Sequence, residues 1–369
     1  MGRGAGALHA VILAGGAGER FWPASRRRRP KPFLELATGR SLLNATLARA
    51  RRFAGKDRVW VVCGSEHARA LRKATGLPAP RVLVEPLRRN TAMAVALAAE
   101  RIAAQDSDAV LAVLPADHLI PDARAFTAAM RLAAKAARGA EVLVTLGVKP
   151  TRAETGYGYI QVGPAAGGLY PGLCRVRRFV EKPDAARARR YLRRGGYLWN
   201  AGIFVWTART ILQEIEACAP ELEPAIETLR RGAEGRRSGS APRISPATLR
   251  AAYRRAPSLP IDVAVMERSR RVWTLPVEFR WSDIGTWESL AEELGVVPGR
   301  SRVVAGDLAF DDEGGNLVWG QRRAIVLVGV EGLAVIDSGD ALLVARLDRA
   351  SELRRVVAEL KAGGRDDLT

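Results

Sequence analysis

The sequence predicts an α/β fold, with a mostly parallel central sheet flanked by helices and a small C-terminal β-rich extension ending in a helix. Three observations carry this expectation. Short β-branched apolar runs alternate with helix-patterned segments through the first half of the chain. Apolar residues make up 48% of the 369, enough for a substantial core and too many for general disorder. Beyond residue 300, valine-rich runs are separated by glycine turns.

The elements follow in order. "HAVILA" (9–14), "RVWVVC" (58–63), "RVLVEP" (81–86), "AVLAVLP" (109–115) and "EVLVTLGV" (141–148) read as strands. Helical patterns lie between them, near 41–53, 66–75, 90–104 and 123–138. Continuous apolar strands separated by helices indicate a sheet covered on both faces, and such sheets bind ligands beyond the carboxyl ends of their strands. "GYGYIQVG" (156–163) and "LCRVRRFVEKP" (173–183) read as strands of a β-rich insertion. A helix from Asp184 and an alternating strand, "YLWNAGIFVW" (197–206), come next. Residues 229–246 are polar and glycine-rich, the composition of an exposed loop. "TWESLAEEL" (286–294) is helical, and "GVVPGRSR" reads as a linker. Short strands over 301–347 and an amphipathic helix from Arg349 complete the tail. The expected division is therefore 1–295 and 296–369.

Composition removes several classes of function. Three cysteines, Cys63, Cys174 and Cys218, lie far apart, so neither a disulfide framework nor a cysteine zinc site is supported. The three histidines are equally scattered. No apolar run is long enough to span a bilayer, and the first residues make a poor secretory signal, so the expectation is a soluble, cytoplasmic protein with no membrane partner. The formal charge is +19, from 58 basic and 39 acidic residues. Nucleic acid and a phosphate-rich small substrate are the two partners that such a charge suggests. Only seven of the cations are lysine, so the excess reflects a general use of arginine and each lysine stands out.

The stretch "AGGAGERFWPASRRRRPKPFL" (14–34) raises the sharpest question. It has no third glycine for a GxGxxG, that position being Phe21, and the chain's Gly55-Lys56 pair is followed by Asp57, which excludes a Walker A loop. Gly15, Gly16 and Gly18 allow positive φ and close backbone approach, so successive N–H groups can form an anion-binding nest. Arg20 and the Arg26–Arg29 block add positive field, and Lys31 stands between two prolines that stiffen it. Together these would hold a nucleoside triphosphate.

The stretch resembles the signature of sugar-1-phosphate nucleotidyltransferases, in the form used by mannose-1-phosphate guanylyltransferases. The resemblance continues in family order through "EPLRRNTAMA" (85–94), "LPADH" (114–118), "GYGYI" (156–160), "FVEKP" (179–183), "WNAGIFVW" (199–206), "PIDVAVME" (260–267) and "WSDIGTW" (281–287). It departs at Met93, where relatives carry proline, and at Ala24, where leucine is frequent. A Rossmann-like nucleotidyltransferase fold is implied, with GMP passed from GTP to mannose 1-phosphate and pyrophosphate released. The attacking phosphate oxygen is already an anion, so positioning and charge neutralisation would suffice.

The resemblance also implies roles. Asp117 and Asp283 would hold Mg²⁺, a hard cation that prefers oxygen ligands; as ordinary residues, Asp283 could cap the next helix and Asp117 brace a turn. Arg20 and Lys31 would contact the triphosphate, with Lys31 mattering most for rate. Lys182 would meet the sugar phosphate, Glu181 would accept from sugar hydroxyls, and Tyr157, Gly158 and Asn200 would line the sugar pocket. Glu85, Asn90 and Thr91, with the loop backbone near Ala14 and Gly15, form the region expected to read guanine; Asn90 also suits the N-cap of the helix that follows. His118 is expected to be structural. No histidine follows it, so the histidine-bearing isomerase domain of some relatives is not expected. The tail resembles the β extension that contributes to dimerisation in relatives. The alternative within the same fold and chemistry is a guanylyltransferase or other nucleotidyltransferase acting on a different sugar 1-phosphate, such as a heptose 1-phosphate. A basic nucleic-acid-binding protein is the alternative of another class, disfavoured because aromatics are only 6% and the clearest basic cluster lies in the glycine-rich stretch. A catalytically dead regulatory subunit is disfavoured by the presence of Lys31, Lys182, Asp117 and Asp283.

Overall fold

The computed structural model describes residues 6–16, 18–36, 39–233 and 244–369. In chain order the elements are β1 (Leu8–Leu13), α1 (Leu42–Ala54), β2 (Val59–Gly64), α2 (Ala68–Thr75), β3 (Val82–Glu85), α3 (Asn90–Ala103), β4 (Val110–Pro115) and α4 (Ala123–Ala140). There follow β5 (Leu143–Val148), β6 (Tyr159–Ala165), β7 (Cys174–Val180), α5 (Ala185–Arg194), β8 (Tyr197–Thr207), α6 (Ala208–Cys218), α7 (Glu223–Ala233), α8 (Pro246–Arg255) and β9 (Val272–Val277). The chain continues through α9 (Trp287–Leu294), β10 (Arg302–Asp311), β11 (Leu317–Leu327), β12 (Leu333–Asp337), β13 (Leu342–Arg346) and α10 (Leu353–Ala362).

The chain forms two compact units, the first made of residues 1–15, 47–115 and 120–281. Its sheet has nine strands in the order β3-β2-β1-β4-β8-β5-β9-β7-β6. The neighbours of β1 are parallel, with Ala10 opposite Val59 on β2 and Ala112 on β4. Strand β8 runs antiparallel to both β4 and β5. Strands β2 and β4 are buried almost along their length, as the unbroken apolar runs predict. On one face α3 packs an alanine-rich run, Ala92 to Ala99, into the core with Val62, Leu111, Phe204 and Ile211.

Local chemistry sets the helix starts. Asp122, Asp184, Thr207 and Ser245 each accept a backbone N–H at the first turn of α4, α5, α6 and α8. Gly76, in the left-handed region, ends α2.

The second unit is made of residues 16–46, 116–119 and 282–369. Strands β10, β11 and β12 lie parallel, and β13 closes the four-stranded sheet antiparallel to β12. Its core joins Phe21, Trp22, Leu34, Trp287, Trp319 and Leu353. The arm 18–34 thus contributes aromatic residues to the same core as the tail.

Several expectations change. The strands expected to form an insertion belong to the nine-stranded sheet, with β6 paired to β7 and β8, and β7 to β9. Helices α6, α7 and α8 and strand β9 occupy stretches to which the sequence pattern assigns no element. Within the expected loop 229–246, α7 extends to Ala233 and α8 starts at Pro246; residues 234–243 lie outside the described residues. The tail helix starts at Leu353, after a short 3-10 turn. Among the described residues, no helix is long and apolar enough to cross a membrane.

Candidate active site

In the second unit, Arg20, Lys31, Asp117 and Asp283, expected to meet the triphosphate and metal, are brought together. Leu119 and Ser282 exchange backbone hydrogen bonds at 2.9 and 3.1 Å, which lays the segments carrying Asp117 and Asp283 side by side. Lys31 is buried and bonded to both: its Nζ donates to Asp117 Oδ2 at 2.8 Å and to the Asp283 carbonyl at 2.7 Å. Burial alone would raise the Asp117 pKa, but the Lys31 ammonium, the neighbouring His118 and the Lys31 hydrogen bond outweigh it and hold the carboxyl below its ordinary value. Arg20 reaches the same place: a Cβ built on Gly285 would lie 3.2 Å from an Arg20 guanidinium nitrogen and 3.1 Å from Asp283 Oδ2. Asp283 does not cap α9, because Thr286 does so in a reciprocal pair with Ser289.

Of the three loop glycines expected to use positive φ, only Gly18 does, at +66°. A Cβ there would lie 2.5 Å from Lys31 Cβ and 2.9 Å from Ser25 Oγ. Gly18 is therefore required twice over, by its backbone and by the close passage of Lys31. Gly16 has open space around it. Arg26, grouped in the sequence with the anion-facing cations, is used elsewhere: its guanidinium donates to Pro23 O, Ser338 Oγ and Asp340 Oδ1. Arg27, Arg28 and Arg29 are exposed.

In the first unit, a second cluster gathers around Glu181. Its Oε1 pairs with Lys182 Nζ at 2.9 Å, while Oε2 is buried without a hydrogen-bond partner. Lys182 has φ +46°, an uncommon conformation for a residue with a side chain. The absence of a side chain at Gly158 has a reason other than sugar approach: a Cβ there would sit 2.6 Å from Glu181 Oε2 and 3.2 Å from Asn200 Cβ. Asn200 is locked. Its Oδ1 accepts from Thr145 Oγ1 and the Gly202 N–H, and its Nδ2 donates to Asp262 Oδ1. Burial, and then the charge of Glu181, push the Asp262 carboxyl above its ordinary range. Asp262 is not among the residues expected at the site; its signal in the sequence is that it is the lone aspartate in the otherwise apolar "PIDVAVM". Tyr157 stands edge-on to Trp199 and Trp281, at 5.1 and 5.3 Å.

The residues expected to read the base form a third group, also in the first unit. Glu85 accepts from the Tyr253 hydroxyl at 3.1 Å, and a Cβ built on Gly15 would lie 3.9 Å from its other oxygen. Burial pushes the Glu85 carboxyl up to about 7, with Glu66 adding to the rise and Tyr253 and Arg88 opposing it. The Ala14 N–H is held by Val62 O. Asn90 is not the N-cap: α3 begins at it with φ +61°, its Oδ1 accepts the Thr91 N–H, and Arg89 stands in the cap position. Thr91 Oγ1 accepts from the Ile261 N–H at 2.8 Å, tying the start of α3 to the segment that carries Asp262. Met93 and Ala24 are both buried and fit where they stand.

Residues 9–295 match the nucleotidyl transferase family, and residues 311–360 match the MannoseP isomerase/GMP-like β-helix domain. Alginate biosynthesis protein AlgA of Pseudomonas aeruginosa is 37% identical over 361 residues, covering 97% of this chain and 73% of that protein. Mannose-1-phosphate guanylyltransferase RfbM of Salmonella typhimurium is 36% identical over 363 residues, covering 97% and 73%. A crystal structure named as mannose-1-phosphate geranyltransferase from Thermus thermophilus superposes with a TM-score of 0.83 at 36% identity, covering 96% of this chain and 99% of that one.

Proposed function

The chain belongs to the nucleotidyl transferase family, and from that membership we propose that it transfers GMP from GTP to mannose 1-phosphate, forming GDP-mannose and pyrophosphate. Two relatives named as mannose-1-phosphate guanylyltransferases, 36% and 37% identical over 97% of the chain, support the substrate pair. The observation that carries the chemistry is the buried Lys31, held between Asp117 and the Asp283 carbonyl. A fixed cation there is suited to a reaction that builds charge on a leaving pyrophosphate.

The sugar phosphate oxygen attacks the α-phosphorus, and the bond to the bridging oxygen of pyrophosphate breaks. No proton has to be removed from the nucleophile, so the residues position and neutralise. Lys31 and Arg20 contact the triphosphate, and the backbone of Gly15, Gly16 and Gly18 approaches it. Lys182 contacts the sugar phosphate. The unpartnered Glu181 Oε2 accepts from sugar hydroxyls, beside Tyr157, Gly158 and Asn200. Glu85 accepts from guanine, with Asn90, Thr91 and the Ala14 backbone shaping that region.

Asp117 and Asp283 are suited to Mg²⁺. Both present oxygen donors, and the charge around Asp117 keeps its carboxyl ionised. Among the described residues, no three His, Cys, Asp or Glu side chains are grouped to hold a metal by themselves. Substrate phosphates would complete the coordination. When bound, the ion would neutralise phosphate charge. We propose residues 1–295 as the catalytic domain and 296–369 as an extension through which two copies associate, in the cytoplasm and without nucleic acid.

Purified protein with Mg²⁺, mannose 1-phosphate and each nucleoside triphosphate should release pyrophosphate with GTP. Lys31→Ala or Asp283→Ala should lower the rate by roughly 100-fold to 1,000-fold. Release only with another sugar phosphate would retain the chemistry and overturn the mannose assignment. No release from folded wild type with any pair would overturn the enzymatic reading.

A further inference from the structure

The arm 18–34 that presents Lys31 is held along its length by the far end of the chain, within the second unit. The Glu19 carboxylate pairs with Lys361 on α10. Trp22 Nε1 donates to the Leu368 carbonyl at 2.8 Å, and the Trp22 carbonyl accepts from Trp287 Nε1 at 3.1 Å. Arg26 is 13% exposed and lies over the Trp22 ring. It holds Pro23 O at 2.7 Å within the arm, and Ser338 Oγ and Asp340 Oδ1 at 3.2 and 3.0 Å in the turn between β12 and β13. The Arg27 N–H reaches the Thr369 carbonyl.

Beyond these anchors the arm returns on itself. Gly18 lies against Lys31, so closely that a methyl group could not be placed between them. Lys31 Nζ also lies 5.5 Å from the Phe21 ring, itself packed on Trp287. A shift of residues 19–27 would therefore carry the Gly18–Lys31 contact with it.

We propose that the β12–β13 turn and α10 act as a brace that sets the arm for GTP. Asp340, Ser338 and Lys361 are then positioning residues, acting through Arg26 and Glu19. The proposal rests on the nucleotidyltransferase reading for its ligand, and it assigns Arg26 to the brace rather than to the anion-facing field.

The two roles of Arg26 differ in sign. If Arg26 served only as positive field, removing the Asp340 carboxylate would leave the arm more positive and tighten GTP binding. A brace predicts the opposite. We would measure GTP binding by calorimetry without sugar phosphate, and hydrogen–deuterium exchange across 18–31 without any ligand, in wild type and Asp340→Ala. The expected result is faster exchange in the arm and a GTP Kd raised by about tenfold, as for loss of a charge-assisted hydrogen bond, with the KM for mannose 1-phosphate unchanged. Lys361→Glu, an exposed change, should raise the GTP Kd by about twofold to fivefold, and adding Glu19→Lys should restore it. That exchange of charges keeps the test open should Asp340→Ala fail to fold. Unchanged exchange, tighter or unchanged GTP binding in Asp340→Ala, or no rescue by the exchanged pair would each overturn the brace. Wild type that binds no GTP would overturn the functional reading, and the exchange comparison would still decide the brace.

Discussion

In the base-reading role proposed for it, Glu85 would tie affinity to pH. Burial raises its carboxyl to about 7, and the Tyr253 hydroxyl is its close polar partner. A carboxyl whose pKa is raised on folding is favoured in its protonated form. The stability it lends is complete below the ordinary carboxylate range and lost as pH rises through about 7. The proposed role in reading guanine favours the opposite form, since only the ionised carboxylate can accept from both the N1–H and the amino group at once. The melting temperature without ligand should fall between pH 6 and pH 8 while the KM for GTP also falls. Glu85→Gln should flatten both trends and raise the KM for GTP by roughly tenfold or more. Melting curves and initial rates at a series of pH values check this. A KM for GTP that is independent of pH in wild type would remove Glu85 from base recognition.

At the scale of elements, the arm 18–34 depends on a glycine whose reason lies outside its own turn. Gly18→Ala would add both left-handed strain and a collision with Lys31 Cβ at 2.5 Å. Activity should drop by at least about tenfold while the circular dichroism spectrum stays that of wild type, because the change reaches Lys31 before it reaches the core. Retained activity would mean that Lys31 can be displaced without consequence. Continuous apolar runs made β1 to β5 legible, and the helical period of the apolar residues made α1 to α4 legible. The stretches of α6, α7 and α8 are not legible because their apolar faces are defined only once α6 and α7 pack on α3 and α8 packs on α7. Lys31, Asp117 and Asp283 could be named from motifs. The use of Arg26 could not, because four successive arginines look alike until Ser338 and Asp340 arrive from more than 300 residues away. Asp262 was hidden for a related reason: its partner Asn200 lies 62 positions distant.

At the scale of the whole molecule, the charge of +19 invites an account through a polyanionic partner. Arg26, Arg230 and Arg268 are engaged with carboxylates, which leaves the count a poor guide to any single surface. Apolar exposure is more informative. Phe310 on β10 and Val326 on β11 are register partners, and they are 51% and 58% exposed. Val328 just beyond β11 and Val344 on β13 are exposed as well. Exposed large apolar groups on one small sheet suit association of two copies. Sedimentation should give a dimer, and the double change Phe310→Asp with Val326→Asp should give a monomer that still melts cooperatively. A wild-type monomer at micromolar concentration would place association elsewhere or remove it.

The second unit is stitched from three stretches, 16–46, 116–119 and 282–369, and that has a consequence for the order of events during synthesis. The Lys31–Asp117 pair joins positions 86 apart, whereas the bond from Lys31 to the Asp283 carbonyl joins positions 252 apart. Much of the nine-stranded sheet can assemble while the ribosome is still translating, but the phosphate-handling cluster must wait until the segment after residue 281 has emerged. A nascent chain interrupted before that point would carry a nearly complete first unit, but its Lys31 would lack the Asp283 carbonyl that holds it. Catalytic competence would thus be among the last properties the polypeptide acquires.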